Sequence, residues 1–124
     1  MDPRLEYLDL QYKSDISNDL INKIGYLSPN IKELNLTSVP ITNEVLIELG
    51  ISCKFLTAIN ISLCHKLEEF SILRFLKNKF DLKKFWANHL EDSITDACLE
   101  QLGKCDELSV LSINFCSNVS SVGA

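Results

Sequence analysis

Five cysteines and two histidines are the side chains in this sequence best suited to bind a metal or act as nucleophiles. Zinc needs four ligands around one centre, usually supplied by closely spaced pairs such as C-x-x-C or H-x-x-x-H. No C-x-x-C pair occurs, and neither His65 nor His89 belongs to an H-x-x-x-H or H-E-x-x-H pattern. The adjacent carboxylates Glu68-Glu69 and Glu91-Asp92 fall in loops or at helix starts, where charge interacts favourably with the helix dipole and stays solvated. Gly25, Gly50, Gly103 and Gly123 are dispersed, so no phosphate-cradling loop is formed. The stretch from Arg74 to Phe80, followed by Lys83-Lys84-Phe85-Trp86, mixes basic and aromatic residues as nucleic-acid-binding segments do. What these residues can do depends on the elements that hold them.

Those elements repeat. An L-x-x-L-x-L pattern with apolar substitutes occurs at Leu5, Leu8, Leu10 and again at Ile31, Leu34, Leu36. It returns at Leu56, Ile59, Ile61, at Leu82, Phe85, Ala87 and at Leu108, Leu111, Ile113. The starts at 5, 31, 56, 82 and 108 are 26, 25, 26 and 26 residues apart. After each of the first four comes an aliphatic residue, Ile16, Ile41, Leu67 or Ile94, and three of these precede a hydroxyl residue able to cap a helix: Ser17, Thr42 and Thr95. An apolar pair at spacing three follows: Ile21/Ile24, Leu46/Leu49, Ile72/Phe75 and Leu99/Leu102. That spacing marks a helix of about ten residues with one buried face. Each unit therefore reads as strand, turn and helix. Neither element can bury its apolar side alone, so neighbouring units must stack.

This frame decides most of the chemistry. Cys53 and Cys105 are two units apart, as are Cys64 and Cys116, which separates each pair by roughly 10 Å. A disulfide requires Cα atoms within about 7 Å. The cysteines are expected to be free, small residues at buried turns, with Cys98 in the core as well. No metal or other cofactor is expected. Phe75 and Phe85 take core positions, and the lysines around them are expected to be ordinary exposed residues. No nucleophile, base and orienting residue converge, so the chain is expected not to be an enzyme.

The segment Ile94-Thr95-Asp96 through Leu99, Leu102, Cys105, Leu108, Leu111, Ile113 and Cys116 resembles the cysteine-containing subtype of leucine-rich repeat. Ile41-Thr42-Asn43 through Cys53, Leu56, Ile59, Ile61 and Cys64 resembles it again. The resemblance covers essentially the whole chain. It implies an α/β leucine-rich-repeat solenoid of right-handed strand–turn–helix repeats, about four and a half of them in a single domain or fragment spanning residues 1–124. The parallel sheet would line the concave face. F-box proteins that choose substrates for ubiquitin ligases carry this subtype, and the 124 residues contain no F-box of their own. Two roles follow: substrate recognition for such a ligase, or a structural part of a large cytoskeletal or organellar assembly.

Alternation along each strand assigns the binding face. The first outward column is Tyr7, Glu33, Ala58, Lys84 and Val110, and the second is Asp9, Asn35, Asn60, Trp86 and Ser112. The third is Gln11, Thr37, Ser62, Asn88 and Asn114, followed by Tyr12, Ser38, Leu63, His89 and Phe115. Amides and hydroxyls beside aromatics suit a protein partner better than phosphate, and Trp86 is the expected anchor. A net charge of −5 argues against a general affinity for nucleic acid. No apolar run reaches the roughly 18–20 residues of a membrane span. An odd number of cysteines suits the reducing cytosol, with nuclear or cytoskeletal placement compatible. A strand starts at Leu5 without a cap, and the fifth unit reaches Val122-Gly123-Ala124 where its helix is due. Both ends are therefore expected to self-associate or to pack on further polypeptide.

Overall fold

The apolar pattern is realised as five short strands in a computed structural model that describes residues 1–117. They are β1 (Tyr7–Asp9), β2 (Glu33–Asn35), β3 (Ala58–Asn60), β4 (Lys84–Trp86) and β5 (Val110–Ser112). All pair in parallel, in the order of the sequence. The register places Leu8, Leu34, Ile59, Phe85 and Leu111 in one row across the sheet. Parallel neighbours need a crossover, supplied by α1 (Asn18–Asn22) with α2 (Ile24–Leu27), then α3 (Asn43–Ser52), α4 (Glu69–Lys77) and α5 (Asp96–Leu102). The architecture is α/β, one unit of strand and helix following another.

Leu34, Ile59 and Phe85 meet Ile21, Ile24, Leu46, Leu49, Ile72 and Phe75 in a single contiguous core. Full burial of such side chains stabilises by about 1.5–3 kcal/mol each. Leu111 departs from its row: it is 43% exposed, because β5 has a neighbour on one side only among the described residues. Val122, Gly123 and Ala124, where a fifth crossover helix is expected, lie outside the described residues.

The ladder runs past the assigned strands. Leu10, Leu36, Ile61 and Ala87 each donate a backbone N–H to the next strand at 2.8 Å. Tyr12, Ser38, Leu63 and His89 donate similarly at 2.8 to 3.0 Å. These four and Phe115 have φ of 61–64°, the left-handed region. None is glycine, although the region is unfavourable for L residues by about 1–2 kcal/mol. The same strained residue thus ends each strand and turns the chain toward its helix.

The helices depart from expectation in detail. The first crossover is broken at Lys23 into two short pieces, two residues ahead of Gly25, a poor helix former. Gly25 is needed for close approach, since a Cβ there would fall 2.7 Å from the Ser52 backbone carbon at the end of α3. Ser17 and Thr42 cap their helices, accepting from the Leu20 and Val45 amides at 3.1 and 3.4 Å. Thr95 occupies the cap position of α5 but makes no cap bond; its hydroxyl lies 3.7 Å from the Cys98 sulfur. The first residues of α1 and α3 reach forward instead. Asn18 Oδ1 accepts from the Thr42 amide at 3.2 Å, and Asn43 Oδ1 accepts from the Glu68 amide and the Ser71 hydroxyl at 2.9 and 2.7 Å. The start of α1 is thereby tied to that of α3, and the start of α3 to that of α4.

Candidate interaction face

The strands present a row of outward side chains on the side of the sheet away from the core. Tyr7, Asp9, Gln11, Lys84 and Asn114 are exposed, while Glu33, Asn35, Asn60, Trp86, Asn88 and His89 are half-buried. In β4, Phe85 is fully buried and Trp86 lies between Asn60 and Ser112 in the register. Trp86 closes one side of a shallow recess of about 170 Å³, lined also by Glu33, Leu34, Asn35 and Asn60. His89 and Phe115 stack with ring centroids 4.5 Å apart and planes 9° from parallel. The two occupy equivalent strand-end positions in adjacent units, 26 residues apart. Tyr7, Asp9 and Gln11 sit on or beside β1, three strands from Trp86 and so roughly 14 Å away. The residues form a band across the sheet, not one pocket.

Much of the polar chemistry on this band is already engaged. Asp9 Oδ1 accepts from the Gln11 amide at 3.0 Å, and the Gln11 side chain donates back at 3.1 Å. Asn35 Oδ1 accepts from the Thr37 amide and hydroxyl at 3.1 and 2.6 Å, and Asn60 Oδ1 from the Ser62 amide at 3.0 Å. Asn88 Oδ1 accepts from the Asn114 amide at 2.7 Å and the Ser112 hydroxyl at 2.9 Å. Short acceptors of this kind satisfy backbone donors where a strand turns. The side-chain N–H groups of Asn35 and Asn60 make no hydrogen bond among the described residues and are the donors left for a partner.

Three residues assigned to the outward columns are buried. Ala58 is 4%, Thr37 8% and Ser62 5% exposed. The strand-end turns close over the last two, where Thr37 O receives the Tyr12 amide and Ser62 Oγ the Asn88 amide. The expectation of uniformly exposed lysines also fails at Lys79, which is 3% exposed. Its Nζ donates to the Cys53 carbonyl at 2.7 Å. Burial pushes its pKa below the ordinary lysine value, against the opposing influence of Asp81 and Cys53. An ammonium on a long apolar stem fits there because the stem packs while the head meets a carbonyl left open past the end of α3.

The five cysteines are free. Cys64, Cys105 and Cys116 direct their sulfurs to the carbonyls of Leu36, Lys79 and Ala87 at 3.1, 3.3 and 3.2 Å, one unit back in each case. Burial raises the thiol pKa of all five, that of Cys64 to about 12. Protonated thiols are poor nucleophiles and poor metal ligands. Among the described residues no group of three His, Cys, Asp or Glu side chains could hold a metal ion, and no helix is long and apolar enough to cross a membrane.

No protein-family model and no curated protein sequence matches this chain. Among solved structures it is similar to leiomodin-1 actin-binding site 2, with a TM-score of 0.69 and 16% sequence identity. The match covers 92% of this chain and 73% of that one. At this identity the likeness is one of fold.

Proposed function

We propose that this chain is a non-catalytic protein-binding module, a leucine-rich-repeat solenoid with its sheet on the concave side. Its role is that of a scaffolding element in a cytoskeletal assembly, in the cytoplasm, with actin as the first partner to test. The observation that carries a protein-binding reading is the band across the sheet. It holds a half-buried tryptophan at a recess, a stacked His89–Phe115 pair and an exposed Tyr7, with amide donors between them. Aromatic residues among neutral polar groups are what protein interfaces enrich. Concavity on this side is expected physically, since strands pack about 4.8 Å apart and helices about 10 Å.

The choice of partner rests on the fold shared with an actin-binding region of leiomodin-1. That likeness favours scaffolding over substrate selection for a ubiquitin ligase, to which the cysteine-containing repeat alone points. The test is co-sedimentation of the chain with filamentous actin, and gel filtration with monomeric actin, beside capture by a ubiquitin-ligase adaptor. Association with either form of actin, lost in Trp86→Ala, is the expected result. Capture by the adaptor with no actin association overturns the cytoskeletal role and leaves the ligase role standing.

A further inference from the structure

The opposite side of the molecule carries a second surface. Phe70, Leu73, Arg74 and Lys77 follow one another at helical spacing along α4 and face Ala97, Glu100 and Gln101 of α5 across a groove of about 430 Å³. The groove has an apolar floor. Phe70 is 49% exposed and Leu73 half-buried, with the small side chain of Ala97 opposite. Arg74 and Lys77 flank it on the α4 side and Glu100 on the α5 side, and among the described residues none of the three makes an ion pair.

The repeat itself supplies a standard of comparison. The second helical residue is Asp19 in α1 and Glu44 in α3, acids that suit a helix N-terminus. In α4 it is Phe70, and in α5 it is Ala97. The sixth is Glu48 in α3 and Gln101 in α5 but Arg74 in α4. The fold therefore does not require an aromatic or a cation at these places. Phe70 gains little burial there, and a helix start gains nothing from it. Among the described helices, only between α4 and α5 does an exposed aromatic face an alanine with opposite charges on the two rims.

The geometry points to a docking groove for an amphipathic α-helix. Its apolar stripe would lie over Phe70, Leu73 and Ala97, with carboxylates along the edge facing Arg74 and Lys77 and a lysine or arginine along the edge facing Glu100. Two parallel helices with apolar residues three and four apart form the usual bed for such a partner, which is read by anchors at the same spacing. The charges on the two rims set its direction, since the reversed helix brings like charges together. This surface is separate from the strand face and does not depend on what binds there.

A suitable probe is a fluorescein-labelled helical peptide of about 14 residues, roughly 21 Å long. It carries leucines at spacings of three and four, glutamates along one flank and lysines along the other. Its anisotropy is followed on titration with the full chain. Binding is expected, weakened at least about tenfold by Phe70→Ala and by Arg74→Glu with Lys77→Glu. A triple variant, Arg74→Glu, Lys77→Glu and Glu100→Lys, should recover binding of the same peptide, which laid in the reverse direction again meets opposite charges on both rims. All four substituted side chains are exposed, and unchanged circular dichroism checks that each variant is folded. No binding by the parent chain, or binding by the folded Phe70→Ala and Arg74→Glu/Lys77→Glu variants equal to the parent's, overturns the proposal.

Discussion

Trp86 and Lys79 show how a side chain's use depends on which way a single strand or turn faces. Trp86 is outward because the neighbouring Phe85 fills the core position, and its half-exposed ring does little for the fold. Trp86→Ala should weaken partner binding at least about tenfold while changing unfolding free energy by less than roughly 1 kcal/mol. A loss of about 3 kcal/mol or more in urea denaturation would instead mean that the ring is a core residue. Cys64 makes a second test at this scale. Burial raises its thiol pKa from 9.0 to about 12, so the unfolded chain loses this proton first as pH rises. The thiol's contribution is complete below pH 9 and is lost progressively up to about 12. At about 1.4 kcal/mol per unit, this is on the order of 4 kcal/mol. Cys64→Ser, which keeps a donor for the Leu36 carbonyl, should show a distinctly smaller alkaline loss in denaturation midpoints measured from pH 8 to 11. Lys79 has the opposite sign. Its folded pKa is depressed, so the folded state binds this proton less readily, and stability rises with pH just below the ordinary value of 10.5. Lys79→Met should lack that rise.

Among the elements, the strand-end turns and the first crossover are the most constrained. Ser38 is held at φ 64° without being glycine. Ser38→Gly should be neutral or stabilising by up to about 1 kcal/mol, whereas Ser38→Val should cost roughly 1–2 kcal/mol, because a β-branched residue is strongly disfavoured there. Thermal melts of the two variants decide whether the left-handed turn persists in solution. Gly25 is constrained by contact instead of by φ. Its virtual Cβ lies within 2.2 Å of Ser52 Oγ and 2.7 Å of backbone. Gly25→Ala should therefore destabilise despite alanine's better helix propensity, by about 1–3 kcal/mol. A stabilised variant would show that α2 can move away from α3 without loss.

The whole molecule is a sheet whose units share one core, so the exposure of an edge is set by the neighbour it has. Leu111 is 43% exposed, whereas its row partners Leu34, Ile59 and Phe85 are fully buried. With Ile113 and Phe115 it lines an apolar recess of about 630 Å³. A strand edge with no pairing partner among the described residues, beside such a patch, is a template for further pairing. Sedimentation velocity of the chain should show association that grows with concentration and declines in Leu111→Lys. A monomer at every concentration would mean that this patch is too small to recruit a neighbour.

The L-x-x-L-x-L pattern by itself determined the five strands, their register and the inward face, because a two-residue alternation and a helical spacing of three are carried locally by residue type. Leu34, Ile59 and Phe85 could be placed in one row from spacing alone. The sequence likewise determined that Trp86 faces outward and that the cysteines are too dispersed for a disulfide framework. Tertiary structure decided what neighbouring units do to each other. Thr37 and Ser62 occupy outward positions by alternation, yet both are buried, Thr37 meeting the strand end of the preceding unit and Ser62 that of the following one. Asn18 and Asn43 look like helix-start residues, yet each bonds the helix start of the following unit. Lys79 has a charged head that suits solvent, yet a carbonyl 26 residues away receives it. These contacts join residues about one unit apart, and spacing along a chain fixes the repeat without fixing which polar atoms meet across it.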